Sequence, residues 1–337
     1  MRVLLALGGN AMTAVDGSAT PEAQQSAIAG AMESVAGLIA AGHEVVITHG
    51  NGPQVGNLLV KNELAAAVVP PVPLDWCGAQ TQATIGFTII NSLERSLRRL
   101  GCDAKVVAIV TRTRVCGNDP GFADPTKPIG RFLTHERAMT LVEHGQVWQD
   151  RGQKGWRRIV ASPAPLEVLE TGAVLSLIAA GYVVVAAGGG IPVVRDPDGQ
   201  VRGVEAVIDK DLTAALLASS VGADVLVIAT DVDHAVIGYE TETARAVQGV
   251  TLEEMRGLAA AGHFAAGSMG PKVAAAMQFV DQGGQRAVIT SLTHIESAVT
   301  SDFGTVIRGR SSSPDQDSSR HDPSPNGSEP AQLIAEQ

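Results

Sequence analysis

Cysteine is scarce in this chain. Only Cys77, Cys102 and Cys116 occur, odd in number and far apart. That spacing fits neither a disulfide framework nor a zinc site. It points to free thiols in a reducing cytoplasm. Aromatic residues are also few, at 3% of 337 residues. The core must therefore be built from Ala, Val, Leu and Ile, which suits a parallel sheet covered by helices. Basic residues are in deficit, 25 Lys and Arg against 35 Asp and Glu, for a net charge of −10. With no basic run, the chain is a poor candidate for nucleic acid, whose binding rests on phosphate neutralisation. No apolar stretch reaches membrane-spanning length without charge or turn residues, and the run from Arg2 to Gly8 is too short for a signal peptide. The expected setting is cytoplasmic, with no membrane partner.

Apolar residues and glycine are plentiful, at 45% and 37 residues. β-Branched runs alternate with amphipathic segments. Strands are expected at Val3–Leu7, Glu44–Thr48, Lys105–Val110, Tyr182–Ala186, Val225–Ala229 and Ala287–Thr290. Helices are expected at Pro21–Ala41, Gln54–Leu64, Gly78–Leu100, Leu166–Ala180, Asp211–Ser220 and Pro271–Gln282. Thr20 is the N-cap, Pro21 the first residue and Gly42 the C-cap of the first helix. Strand, glycine turn and helix recur in that order. This predicts an α/β fold, a three-layer αβα sandwich with a mainly parallel open sheet. Residues 113–158 break the rhythm with Gly, Pro, Asp, Arg and Lys. So long an excursion reads as a small protruding lid subdomain, with a surface excursion of no role as the alternative. Residues 311–337 turn to Ser, Pro, Asp, Gln and Asn, a composition expected to be disordered.

Gly8-Gly9-Asn10 follows the first strand, and Gly50-Asn51-Gly52-Pro53 follows the second and opens a helix. Both put backbone N–H groups at carboxyl ends of strands, where open α/β sheets bind ligands. The second adds a helix N-terminus, which favours an anion. Gly188-Gly189-Gly190 follows a later strand, and Gly267-Ser268-Met269-Gly270-Pro271-Lys272 opens a helix without the P-loop spacing. A single glycine cluster could be only a tight turn. Four at strand–helix junctions point to phosphate binding. Lysine is sparse, so Lys210, Lys272 and Lys127 stand out beside these loops or in the lid segment. Phosphoryl transfer needs mainly positioning and neutralisation. A carboxylate-like acceptor is already an anion and needs no base. Asp211 is the candidate metal ligand, and Thr230-Asp231-Val232-Asp233 a candidate nucleotide wall. A polar loop or helix cap is the alternative for the latter.

As an ordered set the motifs resemble the carbamate kinase family of the amino acid kinase superfamily. They are Gly8-Gly9-Asn10-Ala11, His49 to Gly56, Pro73-Leu74, Cys77 to Gln80, Lys127-Pro128-Ile129-Gly130, Gly155-Trp156-Arg157-Arg158, Ser162-Pro163, Glu205 to Asp211, Thr230 to Asp233 and Gly267 to Lys272. The likeness spans about residues 1–310. It implies an acceptor lobe over about 1–210, a nucleotide lobe over about 211–310, and a homodimer. It implies the reversible reaction of ATP and carbamate to ADP and carbamoyl phosphate, with Mg2+, and use in arginine catabolism to make ATP. It assigns catalysis to Lys210, Lys272, Lys127 and Asp211, with Asp211 serving the metal or orienting Lys210. Carbamate would lie against Gly8, Gly9, Asn10, Gly50, Asn51 and Gly52. Nucleotide would lie against Gly188, Gly189, Thr230, Asp231, Val232, Asp233, Gly267, Ser268, Met269 and Lys272. Ala187 departs from the family pattern, which has a fourth glycine there. Met12, Thr81 and Ala229 are milder departures. The alternatives are a related kinase for another carboxylate, or a nucleotide-binding regulator without turnover.

Overall fold

The computed structural model describes residues 1–9, 20–143, 145–186, 188–265 and 267–309. Asn10, Ala11, Met12, Ala187 and the segment 311–337 lie outside them. An eight-stranded sheet organises the molecule. Its order across the sheet is Gly249–Thr251, Thr305–Arg308, Arg286–Ser291, Val225–Thr230, Arg2–Leu7, Glu44–His49, Tyr182–Ala186 and Lys105–Ile109. The last six run parallel. Thr305–Arg308 runs antiparallel to its neighbour Arg286–Ser291 and carries Gly249–Thr251 beside it.

Period-two alternation sorts the central strands between two apolar layers. Val3, Leu5 and Leu7 join Val225 and Val227 in one layer, with Met32, Ile85 and Leu93 from covering helices. Leu4 and Ala6 join Leu226 and Ile228 in the other, against Ala214, Leu217 and Phe279. Both faces are thus covered, which explains why all six residues of Val225–Thr230 are buried. Aliphatic burial at about 25 cal/mol per Å² supplies the driving force that few aromatics could. The helix Pro21–Ala40 forms as expected, with the Thr20 hydroxyl accepting the Ala23 N–H at 3.2 Å.

Two expectations change. The helix expected over Leu166–Ala180 starts only at Thr171, because Pro165–Val168 pairs as a strand with Arg112–Val115. That pair belongs to a four-stranded sheet with Ile191–Arg195 and Val201–Gly203. Thr113, the first residue of the expected lid segment, pairs with Pro192 and Val168 in that sheet. Within the segment, Lys127–Leu133, Trp156–Val160 and Val147–Asp150 form a separate three-stranded antiparallel sheet. It carries the helix His135–Val142 and a small core of Leu133, Ala138 and Trp148. Cys77, Cys102 and Cys116 are free, as expected.

Candidate active site

The strand Arg2–Leu7 lies between Val225–Thr230 and Glu44–His49. The chain turns in opposite directions on its two sides, so a crevice opens at the carboxyl ends of these strands. The loops after Leu7, His49 and Thr230 meet there. The Gly50 amide donates to the Leu7 carbonyl and the Gly8 amide to the Ala229 carbonyl, both at 2.9 Å. A Cβ on Gly50 would lie 2.7 Å from the Gly9 nitrogen and 2.8 Å from the Lys210 Cδ. Only glycine lets the two loops and the lysine approach so closely. The Asn51 side chain is held in turn by the Thr81 hydroxyl, accepting from Nδ2 at 2.9 Å. Thr81, a departure from the family pattern, thus keeps a hydroxyl in use.

Asp209 opens the helix Lys210–Ser220 as its N-cap, Oδ1 accepting from the Asp211 amide at 2.9 Å. This cap aims the next two side chains. The Asp211 carboxylate is only 3% exposed. One oxygen accepts from the Lys210 ammonium, the other from Lys272 Nζ at 3.2 Å. Burial alone would raise the Asp211 pKa, but the charges and hydrogen bonds of the two lysines outweigh it and hold the carboxyl below its ordinary range. Lys127 arrives from the three-stranded sheet, its Nζ 2.9 Å from Asp209 Oδ2. Three lysines from three distant segments therefore converge, which no local pattern in the sequence states.

They line a cleft of about 510 Å³, within the usual range for small-molecule sites. Gly8, Gly9, Gly50, Asn51 and Gly52 line it, as do Thr230, Asp231, Val232, Gly267, Ser268 and Met269. These residues were expected from sequence. His234, Tyr239 and His263 line it as well and were not foreseen. A short ribbon of Val236–Ile237 and Arg245–Ala246 follows the Thr-Asp-Val-Asp turn, too brief to leave a strand signal.

Four expected contributions differ from the observed geometry. Gly188 and Gly189 are absent from the wall. Gly188 packs against the loop after His49 and the lysine stem, where a Cβ on it would sit 2.3 Å from the His49 carbonyl oxygen and 3.1 Å from Lys210 Cβ. A Cβ on Gly189 would sit 2.7 Å from the Ile208 carbonyl oxygen. Asp233 also leaves the wall, turning its carboxylate to His294 Nδ1 at 3.0 Å. The hydroxyl of Ser291 and then the His294 ring lower its pKa. Asp211 does not fit a metal-ligand role, because both its oxygens are engaged by ammonium groups. No cluster of three or more metal-type side chains occurs among the described residues.

Three motifs of the sequence meet through Glu205, which contacts both Leu74 and, in the three-stranded sheet, Arg158. Glu205 Oε1 accepts from the Leu74 amide at 2.9 Å, and its other oxygen faces the Arg158 guanidinium at 3.4 Å. They border a larger cavity of about 1120 Å³ between the helix Gly52–Ala65 and the three-stranded sheet. None of the expected site residues lines that cavity.

The chain matches the amino acid kinase family over residues 1–291. It is 43% identical to a carbamate kinase of Pyrococcus furiosus over 310 residues, 91% of this chain and 98% of that one. The chain belongs to the carbamate kinase family. A carbamate kinase of Staphylococcus haemolyticus is 43% identical over 91% of this chain and 99% of its own. The solved carbamate kinase of Giardia lamblia bound to AMP-PNP superposes with a TM-score of 0.86 at 39% identity, covering 92% and 98% of the two chains. Membership of this family bears out the expected α/β fold and kinase class. No helix among the described residues is long and apolar enough to cross a membrane.

Proposed function

We propose that the chain transfers a phosphoryl group reversibly between ATP and carbamate. The observation that carries this reading is the pair Lys210 and Lys272, tied together by buried Asp211 at the edge of the glycine-loop cleft. A carbamate oxygen would attack the γ-phosphorus of ATP, and the bond to the bridging β–γ oxygen would break. The negative charge on the transferring group would fall between the two ammoniums. Asp211 would orient both lysines. Lys127 would add a third cation from the lid. The acceptor would lie against the N–H groups of Gly8, Gly9, Gly50, Asn51 and Gly52, with Asn10 completing that loop in sequence.

The nucleotide would lie toward Thr230, Asp231, Val232, Gly267, Ser268 and Met269. The Giardia relative is bound to AMP-PNP, an ATP analogue, which supports ATP as the phosphoryl donor. ATP would bring Mg2+, held chiefly by its own phosphates. His49 donates its Nδ1–H to the Gly50 carbonyl at 3.1 Å, and the reaction assigns it no role as a base. The anionic acceptor needs none.

The same reading carries a cytoplasmic homodimer that makes ATP from carbamoyl phosphate in arginine catabolism. Exposed Trp76 and Phe87, at 60% and 61%, lie on one face of the helix Leu74–Arg99 and support an association surface there. The test of function is ATP formation from ADP. Carbamoyl phosphate should support turnover, whereas acetyl phosphate and acylglutamyl phosphate should not. Turnover with acylglutamyl phosphate alone would instead assign a different acceptor.

A further inference from the structure

Asp209 borders the cleft but has so far only a capping role. Its two carboxylate oxygens divide between two tasks. Oδ1 accepts from the Asp211 and Leu212 amides at 2.9 and 3.3 Å, which opens the helix that carries Lys210. Oδ2 faces Lys127 Nζ at 2.9 Å. The Asp209 side chain is 14% exposed and that of Lys127 is 36% exposed. The carboxylate is thus fixed by its cap bonds, while the lysine keeps access to the open cleft. Lys127 is also the first residue of the three-stranded sheet, paired there with Val160. Wherever its ammonium is held, the entry of the lid is held too.

We infer that Asp209 is a positioning residue for Lys127, keeping the lid lysine over the cleft between turnovers and releasing it to the transferring phosphoryl group. This rests on the catalytic role proposed for Lys127. The physical need is plain. Lys210 and Lys272 line the same cleft, and a third unpaired ammonium beside them would be repelled. A fixed carboxylate offsets that repulsion. A phosphoryl group carries more negative charge than one carboxylate and competes for the same ammonium. The flexible lysine stem allows the exchange without movement of the helix. Because the cap uses the other oxygen, the helix start is undisturbed when the lysine leaves.

Asp209→Asn separates the two tasks, since asparagine caps as well as aspartate but has no charge. Its kcat with saturating ADP and carbamoyl phosphate should fall at least about tenfold, through loss of a charge-assisted contact. Its unfolding midpoint should match the wild type. Asp209→Ser, a second uncharged cap, should behave alike. In a Lys127→Ala background, Asp209→Asn should cost less than about twofold more, since residues acting through one contact are not additive. Wild-type kcat in both Asp209 variants, with Lys127→Ala impaired, would overturn this inference and leave the role of Lys127 standing. So would a full tenfold further loss in the Lys127→Ala background. Failure of both Asp209 variants to fold would overturn it too, marking Asp209 as structural. Wild-type turnover in Lys127→Ala would overturn the role of Lys127 and this inference together.

Discussion

His49 and Asp211 are both buried beside Lys210, and burial acts on them with opposite results. For His49, burial lowers the pKa from 6.5 to about 4, the hydrogen bond to Gly50 opposes this, and Lys210 adds to it. The ring is therefore neutral at pH 7 and places no second cation against the lysine. A folded pKa below the unfolded one means the folded state resists protonation. The stability contribution is complete above about pH 6.5 and is lost as pH falls toward about 4, by on the order of 3 kcal/mol across that window. Denaturant titrations at pH 7.5 and 4.5 should show a loss about 2 kcal/mol larger in the wild type than in His49→Gln. Equal losses would contradict the neutral buried ring. Asp211 contributes further down the scale. Its lowered carboxyl pKa gives stability that is present above 3.8 and lost as pH falls below it.

At the scale of elements, the loop 188–190 acts as a spacer. Gly188→Ala would drive a methyl group to 2.3 Å from the His49 carbonyl, with Lys210 Cβ next in line. The loop must shift, so overpacking of about 1–3 kcal/mol is expected. Turnover should fall at least about tenfold, since small misplacement of a catalytic group is costly. Thermal unfolding and kcat check the two effects separately. Wild-type values for both would contradict the packing described. From sequence this glycine reads as a nucleotide contact, because a chain pattern cannot say which backbone a loop will oppose. The first helix was legible, since Thr20, Pro21 and Gly42 are local signals. The segment 165–168 was not. Leu166 and Val168 satisfy the strand period, while Leu166 and Leu169 satisfy the helix period. The decision falls to Thr113, which pairs with Val168 from far along the chain. The pairing of Arg112–Val115 was hidden for the same reason, because its partner strands are distant in the chain.

At the scale of the whole molecule, the cleft draws residues from Gly8 to Lys272 and closes only when both halves of the sheet are in place. The glycine loops, Lys210 and Lys272 were legible because each stands beside a strand end or helix start, and Lys127 because of its Lys-Pro-Ile-Gly motif. Their convergence was not, nor was the pairing of Lys127 with Asp209, since both depend on strand order. All described cleft residues precede residue 273, so removal of 311–337 should leave kcat within about twofold. A larger loss in the ATP-forming assay would give that segment a role the cleft does not supply. The net charge of −10 makes the local cations decisive, because two anionic substrates must enter an acidic protein. The most direct measurement is therefore kcat for ATP formation from carbamoyl phosphate and ADP in Lys210→Ala and in Lys272→Ala. Each should fall about 10²- to 10³-fold or more while cooperative unfolding is retained, the loss expected on removing one group that stabilises transition-state charge. Near wild-type turnover in either folded variant would contradict the account.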